Sequence, residues 1–331
     1  MVGCKIVQQN IQRGFRFKFK SKNIQSFSVR IPSDNHSSKG VFWTIIQIFL
    51  IFVIIALTIQ AQENKISSEF LPIGLNFSPL KANIQEAKMG ILFFPDNRNL
   101  KVDIGNNIDL LKINFPGNNI SIASGIEFMG YALSTKYLEF RLQIKTLDGF
   151  FGGNISFKKI YPKGEFSLRL RLIHNSAHLV DGDYDFIRKF WINNDSSMHF
   201  TRNFYELTAA HQLNTSSGRF KYYGGFSHSF FVRPADIKRI NLFAGFELSF
   251  KNLFGPVFNK EENVFLASHF SLAGYHEYIG SQQTMFGMKF GYWEGKGITV
   301  YLSYYTGINY FDAYYGERIM KFGTGFYIDF P

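Results

Sequence analysis

Cysteine is all but absent from this chain. Among 331 residues there is one, Cys4, and it lies well ahead of the first long apolar run. The remainder therefore has no disulfide framework, no thiolate metal site and no cysteine nucleophile. Phosphate-cradling glycine loops are missing as well, because "FFGGN" at Phe150 sits in an alternating segment and opens no helix. Past Ala61 there is no helical apolar stripe of useful length and no second long apolar run. Positive charge is scarcer than the formal +11 suggests. Residues 1–40 hold eight Lys or Arg against Asp34, which is +7 of that total, and residues 41–61 carry no charge, so Gln62 onward holds only +4. A nucleic-acid partner recognised by bulk positive charge loses its support.

What is present begins with "VFWTIIQIFLIFVIIALTIQAQEN" from Val41, unbroken in apolar residues from Ile48 to Leu57. A basic region, a short apolar core and a small residue before a polar start predict a secretory signal cleaved after Ala61. A retained anchor over Val41–Ile59 is the competing reading. The organisation that follows is a lead-in and signal over 1–61, a periplasmic N-terminal segment over 62–86 and a β-domain over 87–331.

In that domain the recurring pattern is alternation. From Ile240 to Phe250 the even positions read Ile, Leu, Ala, Phe, Leu, Phe, and the odd ones include Asn241, Glu247 and Ser249. About twelve such segments follow one another, each long enough to cross a membrane when tilted, for which about 9 to 11 residues suffice. A soluble sandwich is the alternative, but its strands are usually about 5–6 residues long. Aromatic residues make up 18% of the chain, with 39 Phe, a composition that suits the interfacial girdles of membrane barrels. Brief links ("PGN", "YPKGE", "NTSS", "EGKG") alternate with long ones ("DGDYDFIRKFWINNDSSM", "YFDAYYGER"), apart from a short "PDNR" and a long "NLFGPVFNKEEN". The expected fold is an all-β, antiparallel transmembrane β-barrel of about 12 strands behind a signal peptide. Arg169, Arg171, Glu247, Lys289 and Arg219 share the lumenal parity and are expected to plug its interior by pairing.

"LRLRLIHNSAH", residues 168–178, lies in the fifth segment. If Leu168, Leu170 and Leu172 face lipid, then His174, Ser176 and His178 share their face, near the outer end. "RLRLIHNSAHLVDGDYD" and "YYTGINYFDAYYGERIMKFGTGFYIDF" resemble an uncharacterised family of Gram-negative envelope proteins, a domain of unknown function marked by a strand ending in His-x-Ser-small-His-Leu before acidic residues. The likeness runs from about Phe77 to Phe330, with "VDGDYD" replacing a tighter Gly-Asp-Glu. More distantly, the pair is similar to that of outer-membrane phospholipase A and of the lipid A deacylases, which take an Asn or Glu from the next strand. That similarity implies Ser176 as nucleophile and His174 as base, with Asn203, lipid-facing on the sixth segment, as orienter.

The bland reading is a non-enzymatic barrel with a structural, binding or narrow-channel role, in which the polar residues meet water and lipid headgroups. An acyl hydrolase of phospholipid or lipid A esters is the alternative. Lys189, Arg188 and Arg202 are candidates to meet anionic headgroups. No cofactor is expected, apart from a calcium ion that Asp181 and Asp183 could hold. Phe330 resembles the terminal aromatic recognised in outer-membrane assembly, so the barrel-assembly machinery and outer-membrane lipids are the expected partners, in the outer membrane.

Overall fold

The computed structural model describes residues 66–96, 98–137, 141–181, 184–185, 187–191, 198–257 and 259–330, and the leader expected over 1–61 lies outside them. The strands are β1 (Ser67–Phe70), β2 (Met89–Phe94), β3 (Asn99–Phe115), β4 (Ile120–Tyr137), β5 (Arg141–Tyr161), β6 (Gly164–Leu179), β7 (Tyr184–Asp185), β8 (Phe190–Trp191), β9 (Thr201–Asn214), β10 (Gly218–Arg233), β11 (Ile240–Lys251), β12 (Glu262–Tyr275), β13 (Glu277–Gly291), β14 (Gly297–Ile308) and β15 (Arg318–Asp329).

Twelve of them, β2 to β6 and β9 to β15, pair antiparallel with their neighbours in chain order, and β15 returns to β2 through Thr324↔Phe93 to Ile328↔Met89. The ring closes, so that every strand of it has a hydrogen-bonded neighbour on each side over part of its length. β2 is short and pairs with β3 only as far as Asp103, and β1 pairs with the far end of β3, with Ser67 opposite Asn114 and Phe70 opposite Leu111. The pair β7–β8 forms its own small sheet in the connection between β6 and β9.

Polarity across the wall is the reverse of a soluble protein's. On β6, Leu170 and Leu172 project outward at 46% and 40% exposure, while Arg169 and Arg171 on the other parity are sealed inside at 0% and 1%. The same inversion recurs around the ring: Phe128, Phe151, Leu242, Phe286 and Leu302 face out, whereas Glu127, Glu206, Thr208, Glu247 and Lys289 are buried. Exposed large apolar side chains in a continuous belt around charged buried ones are stable only where the surroundings are hydrocarbon. The protein is a transmembrane β-barrel. At the short-turn end the belt finishes in an aromatic collar, where His211 Nδ1 lies 2.7 Å from the Tyr222 hydroxyl and its Nε2 meets Tyr161.

The lumen is filled from both ends. The segment expected to lie in the periplasm, 62–86, instead threads the barrel along its last part: Asn76, Phe77, Leu80, Ala82, Asn83 and Glu86 are buried. Its anchors are ionic and polar. Arg169 forks onto Glu86, with Nη1 2.9 Å from Oε2 and Nη2 on Oε1, and the Lys81 backbone N–H donates to Glu247 Oε1 at 2.7 Å. Arg171 donates through Nε and Nη2 to Glu127 at 2.9 and 2.7 Å, through Nη1 to Glu206 at 3.1 Å, and to the Gln85 carbonyl at 2.9 Å. Phe77, Leu80, Ala210, Tyr223 and Phe243 form an apolar cluster between segment and wall. The segment's irregular backbone is tolerated at membrane depth because protein surrounds it.

From the long-loop end, the connection between β14 and β15 folds inward. Phe311, Asp312, Ala313 and Tyr315 are buried, the Met198 N–H donates to the Ala313 carbonyl at 2.7 Å, and Tyr131 donates its hydroxyl proton to the Tyr310 carbonyl at 2.8 Å. Of the expected lumenal charges, Lys289 pairs with Asp329, while Arg219 reaches the Asn263 side chain at 3.4 Å.

Candidate functional site

β6 and β9 are separated in sequence by residues 180–200 yet lie side by side in the wall. Their register sets Leu172 opposite Tyr205, His174 opposite Asn203 and Ser176 opposite Thr201. Directly opposed residues on one face of an antiparallel pair have Cβ atoms about 4.5–5.5 Å apart, so His174 and Asn203 touch by construction. His174 Nδ1 lies 2.7 Å from Asn203 Oδ1. A carbonyl oxygen only accepts, so the ring carries its proton on Nδ1 and, when neutral, its lone pair on Nε2. This is the tautomer a proton-accepting imidazole needs.

The parity expected from the leucines holds: His174 and His178 are exposed, Ser176 and Asn203 half-buried, all on the outward face, and Asn175 between them is fully buried in the lumen. The structure brings together two of the three residues expected to cooperate, His174 and Asn203. Ser176 engages a different partner. Its Oγ lies 3.1 Å from His178 Nε2, and among the described residues it makes no hydrogen bond to His174. Sequence reasoning placed His178 on the right face without giving it a task; the signal was its i+2 spacing from Ser176.

The surroundings grade from lipid-like to polar. One register step towards the short-turn end lies the row Leu172–Tyr205–His228, with the Tyr205 and His228 rings 5.3 Å apart. Phe151 on β5 and Phe231 on β10 flank the His174–Asn203 row. On β10 the ladder shifts between Ser229 and Phe231, a bulge that turns both Phe230 and Phe231 outward beside the site. Towards the long-loop end β9 pairing gives out. After the Ala177 N–H to Phe200 carbonyl bond at 3.0 Å, His178 and Leu179 are held by β5 alone, opposite Leu147 and Thr146.

The other sequence candidates fall elsewhere. Asp181 accepts from the Ile144 backbone N–H through Oδ2 at 3.1 Å, which closes the end of the β5–β6 ladder, and Asp183 lies outside the described residues. No three His, Cys, Asp or Glu side chains cluster as a metal site among the described residues. Arg202, grouped by sequence with headgroup-binding cations, points into the lumen: it is buried, with Nε 3.1 Å from Asn175 Oδ1 and its guanidinium over the Phe204 ring. The physical reason is parity, since Arg202 neighbours the outward Asn203. Arg188 and Lys189 remain at the loop surface, where Asp185 accepts from the Ile187 and Arg188 backbone N–H groups at 2.9 Å each.

No protein-family model and no curated protein matches the chain. Among solved structures it is similar to OmpT, an outer-membrane protein of Vibrio cholerae folded in vitro and seen in its trimer form, with a TM-score of 0.33 at 7% identity over 81% of this chain and 99% of that one.

Proposed function

We propose that this barrel sits in a bacterial outer membrane, exported by the signal over 1–61, and acts there as a serine acyl hydrolase on lipid esters. Ser176 is the nucleophile, and His174, held by Asn203, is an imidazole of the reaction. The observation that carries this reading is the 2.7 Å His174–Asn203 contact on the lipid-facing wall, two residues from a serine on the same face. A nucleophile, a ring and a group that orients the ring are the minimum for acyl transfer through a covalent intermediate. The setting suits a membrane lipid, because the row stands between an apolar belt and a polar rim, where ester linkages lie.

A second reading, a non-enzymatic barrel, draws support from the Ser176–His178 bond, which satisfies both groups without chemistry, and from a lumen packed with ion pairs. The two readings separate in one assay. The purified chain in mixed micelles with phosphatidylethanolamine, or with lipid A, should release fatty acid, and Ser176→Ala should abolish the release. Equal, background release by both proteins leaves the non-enzymatic reading standing.

A further inference from the structure

Period-2 alternation gives Ser176 an imidazole on each side, His174 at i−2 and His178 at i+2. The two rings are held differently. His174 is tied through Nδ1 to Asn203, within fully paired wall, which leaves Nε2 to exchange protons while Nδ1 keeps its own. His178 stands at the rim, where its backbone is fixed by Thr146, whose Oγ1 donates to the His178 carbonyl at 3.1 Å, and where its Nε2 already lies 3.1 Å from Ser176 Oγ. That separation is proton-transfer reach.

We infer that His178 is the general base of Ser176 and that His174 is the general acid for the leaving alcohol, so that the nucleophile works between two histidines with separate tasks. The inference rests on the acyl-hydrolase reading above and assigns its proton transfers. In the first half, the Ser176 hydroxyl gives its proton to His178 Nε2 as Oγ bonds to the ester carbonyl carbon, and the carbonyl π electrons move onto oxygen. Collapse of that oxyanion breaks the bond to the alkoxy oxygen, which takes the Nε2 proton of a cationic His174. The products are acyl-Ser176, free alcohol, a cationic His178 and a neutral His174. In the second half a water molecule gives a proton to His174 Nε2 while its oxygen adds to the acyl carbon, and collapse breaks the acyl–Oγ bond, with Oγ recovering its proton from His178. One water is consumed, one fatty acid and one alcohol are released, and both rings return to their starting states.

The placement fits the substrate's polarity. His178 faces the wet rim and His174 the apolar rows of Leu172, Phe151 and Tyr205. An acyl ester of a membrane lipid, lying with its chain along the belt and its head towards the rim, presents its carbonyl between them.

The test uses the full chain in detergent micelles and two probes, a long-chain alkyl fluorophosphonate and phosphatidylethanolamine. Fluoride leaves without protonation, so labelling of Ser176 needs the base and not the acid. His178→Ala and His178→Gln should each slow labelling by about 100-fold, the scale of a lost general base. His174→Ala should slow labelling far less, yet cut lipid hydrolysis about as much as the His178 variants do. Heat-modifiable migration in gels verifies that each variant is folded, and Ser176→Ala marks the site of labelling. Parental labelling of the His178 variants with loss in His174→Ala, or equal loss in both, overturns the division of labour and leaves a serine hydrolase. A parent protein that is neither labelled at Ser176 nor active on lipid removes the hydrolase reading, and this inference with it.

Discussion

Asn203 Oδ1 lies 2.7 Å from His174 Nδ1 across the β6–β9 ladder, although residues 180–200 separate the two strands in sequence. The contact depends on sheet register and not on the intervening connection, so the ring is oriented before any substrate arrives. Asn203→Ala should therefore lower kcat about 100-fold, the scale of a small misplacement at a reacting centre, with no change in barrel stability. Asn203→Asp, which keeps an acceptor at the same position, should retain most of the activity. Steady-state hydrolysis in mixed micelles checks both; an unchanged Asn203→Ala rate would detach Asn203 from the chemistry.

Glu86 is one of the charges that hold the inner segment to the wall, beside Lys81, which pairs with Asp329 at 3.5 Å. Both Glu86 oxygens engage Arg169, and both partners are excluded from solvent. Removing one member of a buried pair costs about 3–5 kcal/mol, and without Glu86 the Arg169 guanidinium keeps only its longer 3.7 Å contact with Glu206. Glu86→Ala should lower the urea midpoint of the refolded barrel accordingly. The double replacement Glu86→Leu with Arg169→Met should recover most of that loss, since a well-packed apolar pair can match an ionic one. No recovery would show that the pair contributes more than mutual neutralisation.

The barrel wall was legible because one physical rule, an apolar side chain on every second residue, runs through strands such as β6, β11 and β14. That rule also placed Arg169 and Arg171 inside and Asn203 outside. The threaded segment was not legible. Asn76 and Glu86 are polar, their backbone has no regular period, and only their partners on distant strands, Ser156 and Arg169, reveal that they are buried. The inward fold of the β14–β15 connection is hidden for the same reason. At the site, parity gives a face but not a rotamer: three residues of β6 share the outward side, and the sequence cannot say whether Ser176 turns its hydroxyl to His174 or to His178. The bulge at Phe230 lies beyond such reading too, because an inserted residue breaks the period it would be read from.

Inverted polarity predicts which substitutions the outward face tolerates. Leu170 faces the belt and Ser167 the lumen, two strand faces within one strand. Leu170→Arg should destabilise the barrel in lipid by about 2–4 kcal/mol, the cost of a cation at the bilayer midplane, whereas Leu170→Phe should be nearly neutral. Refolding into vesicles of defined chain length, followed by denaturant titration, measures the difference. Equal effects of Arg and Phe would mean that this face does not meet hydrocarbon.

The inward-folded connection between β14 and β15 should respond to pH. Its Asp312 N–H donates to Asp148 Oδ2 at 2.8 Å, and burial pushes the Asp312 carboxyl up to about 6, against the opposing pull of the Arg202 guanidinium and a hydrogen bond with Asn175. Released into solvent, the same carboxyl returns to its ordinary value of 3.8. Between these values the docked connection binds more protons than the released one, so docking is strongest below the ordinary value. It weakens as pH rises towards about 6 and changes little above that. Hydrogen exchange over residues 309–317, compared at each pH with Asp312→Asn, separates this linkage from the intrinsic pH dependence of exchange. The parent should lose protection relative to the Asn variant across that window, because the amide is never ionised and keeps the connection docked. A constant ratio between the two proteins from acid to neutral pH would mean that the Asp312 proton does not govern docking.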